Sequence, residues 1–292
     1  VKLFRFGPPD AEKPGVLLPD GARVDASGFG SDWDERFFAQ GGDGMGRLAR
    51  WVASDAPKAP RVPAGARLAS AVARPSKLVC IGLNYRDHAR ESGAALPGEP
   101  IVFLKASSAL AGPEDDLRLP IGGEKTDWEV ELALVIGARA RYVAVEDAMK
   151  HVAGFVLHND YSERGFQLER HGQWTKGKSA DGFAPLGPFL FTLSTLETPD
   201  EPFNYASTRL WLKVNGEIKQ DGTTAEMIFD VPTLVSYVSQ FMTLLPGDVI
   251  STGTPAGVGL GHKPPVYLRA GDVVEYGVDG LGQARQRILA AE

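Results

Sequence analysis

Hydrophobic and polar positions alternate in short runs along this 292-residue chain. Such runs, punctuated by Gly and Pro, predict many strands and turns rather than a helix bundle. The clearest run is Asp127-Trp128-Glu129-Val130-Glu131-Leu132-Ala133-Leu134-Val135-Ile136-Gly137, which begins with charge and ends apolar. Side chains alternate faces along a strand, so Glu129, Glu131, Ala133 and Val135 share one face, and the apolar continuation turns that face inward. A second strand is expected over Val152 to Asn159, directly before Asp160, with a helix over Glu146 to His151 between the two. Lys77–Gly82 and Ile101–Lys105 read as further strands. Asn84 is a candidate cap for a short helix carrying His88 and Glu91. Trp211–Val214 and Glu217–Gln220 pair across Asn215-Gly216, a strong hairpin signal. Asp230-Val231-Pro232 opens a helix whose apolar stripe is Leu234, Val235, Val238, Phe241 and Met242.

Residues 1–72 read as a smaller N-terminal unit and 73–292 as the remainder. Strands are expected at Val1–Phe6 and around Gly15–Leu18, with a helix over Arg36 to Val52 broken by Gly41, Gly42, Gly44 and Gly46. A Pro-rich connector over Ala56 to Pro63 follows. No chemistry is visible in this unit.

Composition narrows the function classes. Thirty-one basic against 37 acidic residues leave a net charge of -6, with no basic run, which argues against nucleic acid. No apolar stretch approaches the length of a membrane span, and the first residues alternate like a strand instead of forming a signal peptide's apolar core. The single Cys80 excludes an internal disulfide and reads as a small core residue. A cytoplasmic location is expected.

The candidate chemistry centres on acids. Glu129 and Glu131 on one strand face lie roughly 6.6 Å apart along the strand. At that distance they repel by about 2.5 kcal/mol at an effective dielectric near 20. A shared proton, a basic side chain or a cation must offset this, and Asp160 as a third convergent carboxylate favours the cation. The competing reading is three solvated surface charges. With no Cys or His beside them, the acids suit magnesium, manganese or calcium rather than zinc, with positions left open for water or substrate. His88 and Glu91, three apart, share a helix face, either as a general base with its orienting carboxylate or as a surface ion pair. Gly93 to Pro100 is a candidate lid. Lys105 ends its strand, either as a snorkelling surface lysine or reaching an anionic substrate. Lys178, in a polar loop, is a candidate for a developing oxyanion or a solvated lysine. The turn Gly253-Thr254-Pro255-Ala256-Gly257-Val258-Gly259 lacks a P-loop ending. It is either a nest for a carboxylate or a plain tight turn. His151, His158, His171 and His262 have no local partner pattern and receive no role.

As an ordered set these pieces resemble the fumarylacetoacetate hydrolase family. The matching elements are Ile81-Gly82-Leu83-Asn84-Tyr85 with His88 and Glu91, Phe103-Leu104-Lys105, Glu129-Val130-Glu131, Asn159-Asp160-Tyr161-Ser162, Lys178-Ser179, and Gly253-Thr254-Pro255 with Gly257-Val258-Gly259. They span about residues 77 to 277. The resemblance implies a mixed α+β fold, a β-roll core with a smaller N-terminal domain, a divalent metal and a homodimer. It implies Glu129, Glu131 and Asp160 as metal ligands and His88 with Glu91 as a water-activating pair. It also implies Lys178 at the reacting oxygen and Thr254, with Gly253 beside it, at the substrate carboxylate. The segments Lys2–Pro8, Glu12–Gly15 and Ser162–Arg170 look like a bacterial subgroup that includes 2,4-diketo-3-deoxy-L-rhamnonate hydrolases, often labelled ureidoglycolate lyases. Ala256 and Gly165 depart from the pattern common there, which bears on substrate preference. The implied activity is metal-dependent hydrolysis of a carbon–carbon bond in a 2,4-diketo acid. The alternatives are decarboxylation of an oxaloacetate-like acid, or a lyase or isomerase reaction on a related 2-oxo acid.

Overall fold

The computed structural model describes residues 1–193 and 203–292. One large sheet organises them. Its strands are β1 (Lys2–Phe6), β2 (Lys13–Leu17), β3 (Arg23–Asp25), β4 (Leu78–Gly82) and β5 (Ile101–Lys105). They continue with β6 (Val130–Ile136), β7 (Val152–Asn159), β8 (Leu190–Thr192) and, later in the chain, Val249–Ser251. The spatial order is β3-β2-β1-β8-β7-β6, then Val249–Ser251, then β4-β5. A second sheet contains β9 (Arg209–Val214), β10 (Glu217–Thr223), β12 (Val273–Val278) and β13 (Gly282–Leu289), where Val249–Ser251 is counted as β11. The architecture is the expected mixed α+β class, rich in sheet and sparing in helix.

β6 lies at the centre of the large sheet and every one of its residues is buried. It runs antiparallel to β7, with Glu131 opposite His158 and Val130 opposite Asn159. On its other side it pairs with β11, with Ala133 opposite Ser251. This register puts the acids of β6, the end of β7 and the end of β11 at one edge of the buried face. The expected hairpin forms at Asn215 and Gly216, whose φ values of 52° and 81° are both positive, as a tight two-residue turn of this kind requires.

Several local expectations are corrected. The helix expected over Arg36 to Val52 is broken at Ala39 and Gln40, between a single turn at Glu35–Phe38 and the helix α1 (Gly41–Ser54); Gly41 has a φ of 54° at that break, but α1 runs on through Gly42, Gly44 and Gly46. Gly44 is buried so tightly that a Cβ there would lie 2.8 Å from Gln40 Cβ. Packing at Gly44 and at buried Leu48 outweighs the intrinsic cost of glycine, about 1 kcal/mol per residue. Glu146 to His151 forms a 3-10 turn within Val145–His151, not an α-helix. The helix α2 (Arg86–Ser92) is preceded by Tyr85, and Asn84 does not cap it. Asn84 instead donates to Phe229 O (3.0 Å) and Thr252 O (2.8 Å) and accepts from Phe229 N–H (2.9 Å). It therefore ties three loops together beneath α2.

The division at residue 72 is crossed by the large sheet. β1 pairs with β8, placing Lys2 opposite Phe191 and Leu3 opposite Leu190. Leu3 and Trp33 belong to the same hydrophobic cluster as Val79, Leu132 and Val274. The helix Val231–Phe241 begins at Asp230, whose carboxylate accepts from Thr233 N–H at 3.0 Å; Leu234, Val235 and Val238 of its stripe are buried, but Phe241 is largely exposed and Met242 lies just past the helix end. Among the described residues no helix is long and apolar enough to cross a membrane.

Candidate metal centre and active site

The three acids singled out by pattern meet in space. Glu129 lies just before β6, where its N–H donates to Asn159 Oδ1 at 2.9 Å. Asp160 N–H donates to Glu129 O at 2.8 Å, which locks the exit of β7 beside the entrance of β6. Glu131 follows on the same face. One carboxylate oxygen from each of Glu129, Glu131 and Asp160 lies within 4.8 Å of the others. All three are buried, so the reading as solvated surface charges does not hold.

Buried acids need counter-charge, and the fold supplies most of it. Lys178 Nζ donates to Glu129 Oε2 at 2.6 Å and Asp160 Oδ2 at 2.8 Å. Arg164 bridges Glu129 Oε1 (2.6 Å) and Asp127 Oδ2 (2.8 Å). Lys105 Nζ pairs with Asp160 Oδ1 and donates to Tyr161 O at 3.0 Å. Burial alone would raise the carboxylates, but Lys105 and Lys178 hold Asp160 well below the ordinary range, and Lys178 and Arg164 do the same for Glu129. Burial lowers Lys105, which its single carboxylate partner does not fully offset, whereas Asp160 and Glu129 together keep Lys178 above its ordinary value.

Glu131 is the exception. Burial pushes its carboxyl well above the ordinary value, and the charges of Asp160 and Glu129 push it further. Four carboxylates, counting Asp127, thus face three cations, and Glu131 is the acid paired with none of them. A hard-oxygen donor set with uncompensated negative charge fits a divalent cation such as magnesium, manganese or calcium.

Glu131 is nevertheless held in place. Ser251 Oγ and Gly253 N–H (3.0 Å) both donate to its Oε2. Ser251 Oγ is also 2.7 Å from Nδ1 of His158, a buried imidazole that burial depresses to about 3 and thus keeps neutral. Ser251→Ala is expected to lower manganese affinity about 10- to 100-fold, as is common when the group orienting a metal ligand is lost. A manganese titration by electron paramagnetic resonance reads this directly. Unchanged affinity would remove Ser251 from the site's design.

His88 and Glu91 form the second feature. Nδ1 of His88 is 3.3 Å from Glu91 Oε2, both on α2. Gly257 N–H donates to Glu91 Oε1 and Oε2 at 2.9 and 3.1 Å. The Gly-rich loop is therefore a nest for carboxylates, but the carboxylates are the protein's own. Gly253 N–H holds Glu131, Gly257 N–H holds Glu91, and the N–H groups of Gly259 (2.6 Å) and Leu260 (3.0 Å) hold Asp127. Gly257 has a φ of 102°, and a Cβ there would lie 1.9 Å from Lys219 O, so glycine is required.

A cavity of about 730 Å3 joins these features. His88 and Glu91 line it together with Glu129, Glu131, Lys178 and Thr254, and Gly93 and Ala94 of the expected lid stretch lie at its wall. Lys105 is neither a surface lysine nor a residue of the cavity wall. It is buried behind Asp160, because that carboxylate and Tyr161 O take its ammonium. Thr254 reaches the cavity, but its hydroxyl donates to Val130 O at 2.9 Å and accepts from Gln220 Nε2 at 2.8 Å. The hydroxyl is thus occupied in fixing the start of β6. Gly253 likewise spends its N–H on Glu131, not on a substrate carboxylate.

Asp127, Arg164, Ser251 and His158 were assigned no role from the sequence. Arg164 lies four residues after Asp160, and no spacing rule marks it as a bridge back to Asp127 and Glu129. Ser251 and His158 become neighbours of Glu131 only through sheet register.

Residues 77–289 match the family described as fumarylacetoacetate hydrolase C-terminal. A Burkholderia multivorans protein carrying only a provisional hydrolase name is 47% identical over 292 residues, covering 100% of both chains. The solved structure of a fumarylacetoacetate hydrolase from Exiguobacterium antarcticum is similar with a TM-score of 0.85, at 36% identity and 99% coverage of both chains. That of a maleylpyruvate hydrolase from Sphingobium sp. SYK-6, in complex with manganese(II) and pyruvate, gives a TM-score of 0.80 at 29% identity and full coverage of both.

Proposed function

The chain belongs to the fumarylacetoacetate hydrolase family, and from that premise we propose that it hydrolyses a carbon–carbon bond in a 2,4-diketo acid of the acylpyruvate type. Glu129, Glu131 and Asp160 would hold the divalent metal, magnesium or manganese. When bound there, the ion supplies Lewis acidity toward the carboxylate and 2-oxo oxygens of the substrate.

The observation that carries the reading is that the His88–Glu91 pair and the acids Glu129 and Glu131 face one cavity. Glu91, fixed by Gly257 N–H, orients the imidazole through Nδ1. His88 takes a proton from water as the hydroxyl adds to C4. The C3–C4 bond then breaks, its electron pair goes to C3, and the proton on His88 is returned there. The products are pyruvate and a carboxylic acid. Lys178 has three N–H donors, of which Glu129 and Asp160 engage two, so a third can meet the carbonyl oxygen under attack.

The test is a panel of acetylpyruvate, 2,4-diketo-3-deoxy-L-rhamnonate and oxaloacetate, each with manganese, magnesium or chelator. The expected result is pyruvate with an equimolar carboxylic acid from a diketone, abolished by chelation. Carbon dioxide from oxaloacetate without diketone cleavage would replace hydrolysis by decarboxylation.

A further inference from the structure

The cavity has two chemically distinct ends. At one end lie the acids, Lys178 and the His88–Glu91 pair. Away from them the wall is apolar, formed by Ile101, Phe103, Leu168, Trp174, Val258 and Leu260. The order in space follows from contacts. Lys178 Nζ, bonded to Glu129 and Asp160, lies 4.9 Å from the centre of the Phe103 ring. Phe103 in turn packs edge-on against Trp174, with centroids 5.3 Å apart at 66°. Trp174 rests against Gly82 at the end of β4, where a Cβ would lie 2.6 Å from the indole ring. The indole thus occupies a seat that only glycine leaves open. Val258 and Leu260 also line the cavity, on the same loop that holds Glu91 and Asp127.

Ile101, Leu168 and Leu260 are 37%, 45% and 38% exposed, and all three converge on this cavity. Converging exposed apolar side chains mark a binding surface. Of the polar groups that line the cavity, Ser92 Oγ donates to His88 O at 2.8 Å and Arg90 reaches outward to Glu226, while His262 and Lys263 lie beside Leu260, and His262 Nε2 is buried with no hydrogen-bond partner among the described residues. Against the side chains of Ile101, Phe103 and Leu168 a hydroxylated chain would give up water without gaining partners.

We propose that the apolar part of this cavity, lined by Phe103, Trp174 and Leu260, selects 2,4-diketo acids whose acyl group is apolar and aromatic over those carrying a hydroxylated chain. The inference rests on the proposed function in one respect, that the diketo-acid end of the substrate sits at Glu129, Glu131 and Asp160. An aryl group would pack edge-to-face in the Phe103–Trp174 corner, the arrangement such rings prefer.

Two measurements on the manganese-loaded protein test it. The first compares kcat/KM for 2,4-dioxo-4-phenylbutanoate, acetylpyruvate and 2,4-diketo-3-deoxy-L-rhamnonate. The aryl substrate is expected to exceed both others by about 10- to 100-fold, the range a hydrophobic pocket achieves. Trp174→Ala should bring that ratio close to one, mainly through KM. Leu260→Ala, at another lining residue, serves if the tryptophan variant does not fold. The second measurement is calorimetric binding of benzoate against L-lactate, the acids the two kinds of substrate would release. Benzoate should bind at least about tenfold tighter, and less so in the variant. Equal or tighter binding of lactate, or preferred turnover of the hydroxylated substrate, overturns the inference. If none of the diketones is cleaved while benzoate keeps its advantage, the apolar part of the cavity stands and the proposed reaction falls.

Discussion

His88→Ala is expected to lower kcat on a diketo acid by about 10^2- to 10^4-fold, the usual contribution of a positioned general base, while manganese affinity stays unchanged. The separation follows from the geometry. His88 contacts Glu91, and neither residue is among the three acids that gather within 4.8 Å of one another. Its backbone lies on α2, which Asn84 and the adjoining loops hold from below, so loss of the imidazole should not disturb β6 or β7. Glu91→Gln should fall between wild type and His88→Ala. It keeps a group beside Nδ1 but loses the negative charge facing the ring, and Gly257 N–H keeps a carbonyl oxygen to donate to. Single-turnover pyruvate release reads the chemistry and manganese paramagnetic resonance reads the metal. Retention of turnover in His88→Ala would falsify the role given to this imidazole.

Asp160→Asn should act on metal binding and on stability together. The carboxylate accepts from both Lys105 and Lys178, each buried, and its neutral replacement leaves Lys105 without a counter-charge. Removing one partner from a buried ion pair costs about 3–5 kcal/mol. For a chain of this size that corresponds to a fall in Tm of roughly 5–8 °C. Manganese affinity should be lost as well, because one of three ligands no longer carries charge. The pH dependence has a definite sign. Asp160 is held below its unfolded value, near 3.9 for an ordinary Asp. Its stabilisation is therefore complete above about pH 4 and is lost as pH falls toward the folded value, where the unfolded chain binds a proton that the folded chain does not. Metal-free Asp160→Asn should show a weaker dependence of Tm on acid over that range. A variant with wild-type Tm and wild-type manganese affinity would sink this account of the site.

Much of the site was legible because it obeys short-range rules. Glu129 and Glu131 are two apart on a run that turns apolar, and alternation alone puts them on one face. His88 and Glu91 are three apart on a helix, which brings imidazole and carboxylate together whatever the rest of the chain does. The Asn215-Gly216 hairpin and the Asp230 cap are local for the same reason. The resemblance of ordered motifs added the family, because it depends on residue identity and sequence order and needs no coordinates.

What tertiary structure decided is how charge and hydrogen bonds are partitioned among residues distant in sequence. Lys105 looked available to solvent or substrate, yet the packing of β5 against β4 directs it onto Asp160, 55 positions later. The glycine loop was legible as a nest, but only the fold shows that Glu131, Glu91 and Asp127 fill it. Ser251 and His158 reach Glu131 through the pairing of β6 with β11 and β7, a register that no local pattern encodes. The continuity of β1 with β8 is of the same kind, since Lys2 pairs with Phe191 across most of the chain. The sequence by itself determined which side chains carry the chemistry and which neighbours share a face. Only the folded chain determined which of those charges are already paired and left Glu131 as the acid without a cation, because Coulomb energies in a buried site depend on distances of a few ångströms between segments the sequence keeps far apart.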